Sequence, residues 1–415
     1  MRIPTMAFRN LGRNKRRSAL ALGSVAISIF LVMIMNGLIA GFLGSIVKNY
    51  TKNETGHVNV VTEGYRERER FMPVDEAIAD SRAVAEAIRA APGLEGRVKS
   101  VAERVRFGVV LSSGARSKAA LGIAGDPEAE RALLMLDRSV LPGGSYLSKP
   151  GEAILGERLA RDLGLGVGDA LKVVTQRADY GLGFKRFRVA GVFRTGVNSM
   201  DEAVFQVGIA DARELLALGE NGSQQILVML KDYRESDRAA ALVREALAAG
   251  GLAGLDARSW TALGDFPRLI EMANSVYVWM YVVVAFLGAF IITNIMMMVV
   301  LERRREIGIL KSMGMPAREV LWLFLAEGGA LGALGSAIGV GLGLTFNLVF
   351  SRVGFDFTRA MAGFDWPMDN VVYTTADPLA GLAVFALGVA VSAVVSVLPA
   401  RGAARMNPID SIRSA

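Results

Sequence analysis

The 415-residue sequence has no cysteine and a single histidine. The first absence excludes disulfides and thiolate metal sites. The second excludes any metal site or catalytic pair that needs two histidines, and His57 alone reads as structural. No G-x-x-x-x-G-K run followed by Ser or Thr occurs, so the phosphate-cradling loop of an ATP hydrolase is missing. Neighbouring acids such as Asp201 and Glu202 have no spacing that separates them from a solvated face, and no catalytic constellation emerges. Charge is also missing from long stretches. Ser18–Val47, Ala273–Leu301 and Pro378–Ala400 contain no Asp, Glu, Lys or Arg, and Leu321–Phe350 contains only Glu327.

Those four stretches dominate what is present. The chain is 52% hydrophobic. Each run meets the length of roughly 20 residues that a helix needs to cross a bilayer. The expected plan is a cytosolic amphipathic segment at 1–17, spans at 18–47, 273–301, 321–350 and 378–400, a cytosolic loop at 302–320, a short outer loop at 351–377 and a cytosolic tail at 401–415. Between the first two spans, 48–272 is long enough to hold its own core. The expected fold class is therefore a membrane α-helical protein of four transmembrane helices, with a large α+β extracytoplasmic domain between the first and second spans. The first apolar run is about twice the length of a signal-peptide core, so it reads as an uncleaved anchor.

Net charge is +7, and its location matters more than its size. Arg2, Arg9, Arg13, Lys15, Arg16 and Arg17 precede the first span without an acid among them. The loop carries Arg303, Arg304, Arg305, Lys311 and Arg318 against Glu302, Glu306 and Glu319, and the tail carries Arg401, Arg405 and Arg413 against Asp410. Threading four spans in order puts all three segments on one side. That is the positive-inside pattern, with both termini cytosolic, and it removes nucleic acid as the reason for the basic balance.

Within the large domain, helices are expected at Val74–Ala90, Glu157–Leu163, Ala210–Leu218 and Glu235–Ala249. Strands are expected at His57–Val61, Val98–Leu111, Leu171–Thr175, Phe187–Phe193, Ala203–Ile209 and Ile226–Leu230. The repeated order of helix then strand implies two α/β halves flanking a β-rich insertion near 120–225. Glycines recur at four-residue spacing in Gly37 and Gly41, in Gly328 and Gly332, and in Gly335, Gly339 and Gly343, which lets helix backbones approach closely in lipid. Glu327 lies near the start of its span, where it reaches the cytosolic interface or pairs with an arginine of the loop.

The segment Glu302–Met315, ERRREIGILKSMGM, is short, charged and helix-prone between two apolar runs. Ile307, Leu310 and Met313 fall at helical spacing and are expected to share one face. Such a helix is a handle for a soluble partner.

The loop LERRREIGILKSMGMPAREV, the glycine-rich third span and the tail LPARGAARMNPIDSIRSA together resemble the FtsX-like and MacB-type ABC transporter permeases. The family's loop pattern E-R-x-R-E-I-G-x-L-x-x-x-G falls on Glu302–Gly314, and its tail pattern on Pro399–Pro408. In the large domain, GEAILGERLARDLGLGVGDALKVV and FRVAGVFRTGVNSMDEAVFQVGIADARELL resemble the lipoprotein-releasing, LolC/LolE type. The resemblance covers nearly the whole chain.

The resemblance implies a non-catalytic permease subunit of the bacterial inner membrane, with its large domain periplasmic. It implies a second permease, identical or paralogous, and two copies of a separate ABC ATPase that bind ATP and Mg; this chain itself needs no cofactor or metal. Arg305, Glu306, Ile307, Gly308, Ile309, Leu310, Lys311, Met313 and Gly314 would then form the ATPase-coupling loop, and the glycines named above would pack helices. In lipoprotein-releasing relatives, acyl chains sit between the first and second spans of paired subunits; the matching residues here are Ile34, Leu38, Phe42, Tyr277, Met280 and Tyr281. Membrane lipid and a periplasmic lipoprotein carrier or adaptor are the further partners implied. The expected function is extraction of an amphiphile from the outer leaflet, with lipoprotein release foremost. The alternatives are efflux of small molecules or peptides in the manner of macrolide exporters, and force-transmitting control of cell-wall hydrolases.

Overall fold

The computed structural model describes residues 15–357 and 371–406. The amphipathic helix expected at 1–17 lies almost entirely outside those residues, as do the end of the tail motif and much of the loop expected at 351–377. The chain divides into two compact units, one holding 45–269 and the other holding the apolar helices before and after it.

Helix α1 (Lys15–Tyr50) continues into one wider π-helical turn, Thr51–Thr55. Gly56, at φ 67, ends it in a conformation that favours glycine.

In the unit that follows, one nine-stranded sheet runs through both α/β arms and the β-rich stretch between them. The first arm is β1 (Val58–Thr62), α2 (Ser81–Arg89) and β2 (Val98–Ser112). The stretch between comprises β3 (Ser117–Gly125), α3 (Pro127–Leu134), β4 (Glu152–Gly156), α4 (Glu157–Leu163), β5 (Ala170–Gln176), β6 (Leu182–Phe193), β7 (Val204–Gly208) and α5 (Ile209–Leu216). The second arm is β8 (Gln225–Leu230), α6 (Ser236–Ala249) and β9 (Leu255–Ser259). The arms interleave antiparallel in the order β2, β8, β1, β9, the split βαβ arrangement. Val60, Ile226 and Val228 meet Ile88 of α2 and Val243 of α6 in their core.

The remaining strands close on themselves. Pairing runs β2, β3, β7, β4, β6, β5 and back to β2. Phe107, Phe187 and Phe205 are buried within this ring and meet edge to face at centroid distances of 5.9 and 6.4 Å.

Two local expectations change. The helix expected from Val74 begins at Ser81, capped by Asp80, because Ile78 instead exchanges backbone hydrogen bonds with Ser223. Asp201 is buried rather than solvated, and accepts hydrogen bonds from the backbone of Thr195 and Gly196 and from the Thr195 hydroxyl.

Four helices among the described residues are long and apolar enough to cross a membrane: Ser18–Thr55, Ile270–Glu302, Ala317–Val353 and Pro378–Arg405. They contain the four expected spans. After α1 the helical unit consists of α7 (Phe266–Glu302), α8 (Arg304–Ser312), α9 (Ala317–Val353), α10 (Pro378–Val395) and α11 (Val397–Arg405). A two-stranded ribbon, β10 (Phe355–Asp356) with β11 (Val371–Val372), lies between α9 and α10. Asp377 caps α10 by accepting from the N–H groups of Leu379 and Ala380. The break between α10 and α11 falls where Pro399 removes the N–H that would bond the Val395 carbonyl.

Helix α9 is held on two sides by its glycines. A side chain at Gly328 or Gly332 would collide with Ser396 or Ser392 on the fourth span. On the other side, a Cβ at Gly335 would stand 2.7 Å from Val25, and one at Gly339 would stand 2.6 Å from the Ala26 carbonyl oxygen; Gly343 abuts Met33. Gly37 and Gly41 differ from each other. Gly37 abuts the Asn347 side chain of α9, whereas Gly41 makes room for the backbone at Tyr373 rather than for a helix. The returning chain is fixed there by Thr375 N–H, which donates to the Gly37 carbonyl at 3.0 Å. Asn347 donates to the Met33 carbonyl at 2.8 Å, and its own carbonyl accepts from Thr374.

Candidate functional site

The loop between the second and third spans folds as α8, and its side chains divide by direction. Ile307 is 3% exposed, and with Gly308 it turns inward to a core that includes Val300, Val320, Phe324, Ala400 and Ala403. Lys311 also reaches inward: its ammonium donates to the carbonyl oxygens of Ala404 (2.8 Å) and Met406 (2.6 Å). These bonds place a cation at the carbonyl end of α11, where the helix dipole favours it.

Arg303, at the break between α7 and α8, braces the other side. Its Nε donates to Glu306 at 3.1 Å and its Nη1 to Glu327 at 3.1 Å. Glu327 is thus the arginine-paired acid that its position near a span end allowed. Glu306 is accordingly held by a neighbour in its own unit.

Gly314 ends the helix. Its φ is +95, its N–H bonds the Lys311 carbonyl, and the Met315 N–H bonds the Leu310 carbonyl. This pair of bonds is a Schellman motif, in which the left-handed position favours glycine.

Arg305, Ile309 and Met313 are left pointing outward, while Leu310 is half-buried. The expectation that Ile307, Leu310 and Met313 share one face does not hold, because Met313 lies beyond the last helical residue and is 78% exposed. A three-residue step advances only about 300° around a helix, so two such steps drift off the starting face.

The residues expected to meet substrate lie on α1 and α7. Tyr281 accepts a 3.4 Å hydrogen bond from the Asn36 side chain. Ile34, Leu38, Phe42 and Tyr277 are half-buried and Met280 is exposed. Ile34 lies about 160° around α1 from Asn36, so the two cannot line one surface. Asn36 was not singled out from the sequence; a lone amide in a charge-free span was the available signal.

In the α+β unit the best-built polar site is structural. Arg104 and Glu130 are fully buried and form two 2.7 Å bonds. The same guanidinium donates at 2.9 Å to the carbonyl oxygens of Lys52 and Asn53, in the π-helical turn that ends α1. His57 Nδ1 accepts from the Leu230 N–H at 2.9 Å, and burial pushes its pKa down to about 4. Among the described residues no three His, Asp or Glu side chains converge as a metal site.

Comparison with known proteins agrees with this layout. The MacB-like periplasmic core domain family matches residues 18–246, and the FtsX-like permease C-terminal family matches 278–408. The lipoprotein-releasing system transmembrane protein LolC of Xylella fastidiosa is 25% identical over 304 residues, covering 69% of this chain and 71% of that protein. An uncharacterised ABC transporter permease of Methanocaldococcus jannaschii is 27% identical over 253 residues, covering 60% and 57%. The macrolide export ATP-binding/permease protein MacB of Campylobacter fetus is 33% identical over 119 residues, 29% of this chain and 16% of that protein. Among solved structures, the periplasmic region of MacB from Actinobacillus actinomycetemcomitans aligns with a TM-score of 0.34 at 14% identity, covering 49% of this chain and 87% of that one. The chain belongs to the FtsX-like, MacB-type superfamily of ABC transporter permeases.

Proposed function

We propose that this permease extracts an acylated amphiphile, foremost a lipoprotein, from the outer leaflet of the inner membrane, driven by ATP hydrolysis in a separate ATPase subunit. The observation that carries the reading is α8. It is braced to the third span through Arg303 and Glu327 and to the fourth through Lys311, and it presents Arg305, Ile309 and Met313 outward. A push on that exposed face passes into two spans without any charged channel between them. The 415 residues contain no phosphate-cradling loop, which supports placing nucleotide chemistry in a partner. Two ATPases and a second permease complete the complex, with α8 and both termini cytosolic. The lipoprotein cargo is favoured by similarity to LolC along 69% of the chain.

Macrolide-type efflux is the second reading, favoured by the MacB-like match over 18–246. The test is reconstitution of the permease with its ATPase in proteoliposomes carrying a triacylated lipoprotein. ATP-dependent release of that lipoprotein to a soluble acceptor supports the first reading. No release, together with macrolide-stimulated ATP hydrolysis, replaces it with the second.

A further inference from the structure

Helix α1 ends on carbonyl groups that have lost their own helical donors. In α winding, the Lys52 carbonyl would accept from the Gly56 N–H and the Asn53 carbonyl from the His57 N–H, each four residues on. Instead the Gly56 N–H reaches back five residues to the Thr51 carbonyl at 2.6 Å, and the His57 N–H donates at 2.9 Å to Val228 on β8. The turn is one residue wider than an α turn. Nothing in Thr51–Thr55, TKNET, forces that width, since it contains neither proline nor glycine.

The support comes from across the α+β unit. Arg104 on β2 donates through Nη1, at 2.9 Å, to both deprived carbonyls. Its Nε and Nη2 are held by Glu130 of α3 at 2.7 Å, away from solvent. The buried carboxylate fixes the direction of the fork, and the fork stands in for two helical N–H groups. Two further bonds belong to the same winding: the Tyr50 hydroxyl donates to the Leu263 carbonyl at 2.9 Å, and the Thr51 hydroxyl to the Val47 carbonyl at 2.8 Å. Earlier in α1, Gly44 weakens the helix, and a Cβ there would meet nothing within 4 Å.

We propose that the Arg104–Glu130 pair is a register lock on α1. Engaged, it keeps the extra residue at Thr51–Thr55. Released, Gly56 returns its N–H to the Lys52 carbonyl, the turn winds as α, and the extra residue passes toward Gly44. Residues 45–50 then advance by one place, about 100° around the axis and about 1.5 Å along it. Two discrete windings one residue apart make a switch rather than a flexible joint. Its use during the ATP cycle rests on the proposed function; the lock itself does not.

Exposure along this segment reports the register. Lys48 is exposed, Asn49 is half-buried and Val47 is buried. Single cysteines are placed at each position in the full chain in nanodiscs, and their rates of reaction with an impermeant maleimide are compared. Lys48→Cys should react at least about threefold faster than Asn49→Cys. Adding Arg104→Met with Glu130→Met removes the fork without stranding a charge. The order should then reverse, because Asn49 takes the place of Lys48. Deleting Lys52 from that double variant removes the extra residue and should restore the original order. A loss of stability alone would act otherwise: all three positions, Val47→Cys included, would react faster, and shortening the chain would not rescue them. Arg104→Lys keeps the charge pair without the fork, so it should narrow the ratio, and it guards against misfolding of the double variant.

An unchanged order in the double variant and in Arg104→Lys, or a general rise that the deletion leaves uncorrected, overturns the lock. In the reconstituted permease–ATPase complex, ATP with vanadate should move the ratio toward that of the double variant. A fixed ratio in a complex that releases lipoprotein rejects the switch. A shifted ratio without lipoprotein release removes the proposed function and leaves the lock standing.

Discussion

Arg104 and Glu130 meet without solvent, and the guanidinium spends its other donors on the carbonyl groups that end the first span's helix. Removing one partner strands a buried charge, a loss of about 3–5 kcal/mol in comparable pairs. Arg104→Met or Glu130→Gln should therefore lower the unfolding midpoint of the purified chain sharply. Replacing both by apolar residues should restore much of it, and a double variant no better than the singles would contradict a charge-pair origin. His57 supplies a pH signature. Its folded pKa is about 4 against an ordinary 6.5, so the unfolded chain takes up the proton first. Stability from this group is complete above about pH 6.5, falls as pH drops toward 4, and changes no further below that. His57→Gln should flatten the slope of the unfolding midpoint across that window, and an unchanged slope would assign it to another group.

At the scale of elements, small residues on α9 set how the helical unit packs. Gly339→Leu would drive its side chain into the Ala26 carbonyl, whereas Gly341 has open space around it. Overpacking typically costs about 1–3 kcal/mol. Gly339→Leu should lower the thermal midpoint in detergent and Gly341→Leu should not, since leucine favours the helix over glycine; an equal fall at both would exclude the contact at Gly339 as the cause. The spans were legible because a bilayer demands a long run without charge, and such runs stand out from any background. Strands β3 and β4 were not. Ser117–Gly125 reads SKAALGIAG, nearly free of β-branched residues, and Glu152–Gly156 is five residues long; both are strands because the ring supplies a partner on each side. The direction of α8 was equally hidden. Its charge located the helix in the sequence, but Ala400 and Ala403, some ninety residues away, decide which face is buried. No local period carries that information.

For the whole molecule, the proposed function makes the exposed face of α8 the point at which an ATPase stroke would enter. Ile309→Glu with Met313→Glu should leave folding intact, because both side chains are exposed, and should reduce ATP-driven transport by the reconstituted complex at least about tenfold. Unchanged transport would exclude that face as the contact. Ile307→Glu differs: it buries a charge and should lower stability as well. Sidedness is open to a direct check by engineered cysteines, since the chain has none of its own. A cysteine at exposed Val167 should react with an impermeant maleimide from the outside only and one at Ser312 from the cytosol only; the reverse would invert the proposed orientation.

The closed ring of strands also limits how any soluble partner can be engaged. Among the described residues, every strand of the nine-stranded sheet except β9 has a neighbour on each side for at least part of its length. Among the described residues, the strand paired on a single side throughout, β9, is five residues long and carries the Arg258–Asp256 ion pair, features that discourage strand capture. Under the proposed function, a carrier or adaptor would find little backbone to zip onto there and would recognise side chains instead. Its specificity can drift by surface substitution while the scaffold stays fixed, which suits a domain shared by transporters of unlike cargo.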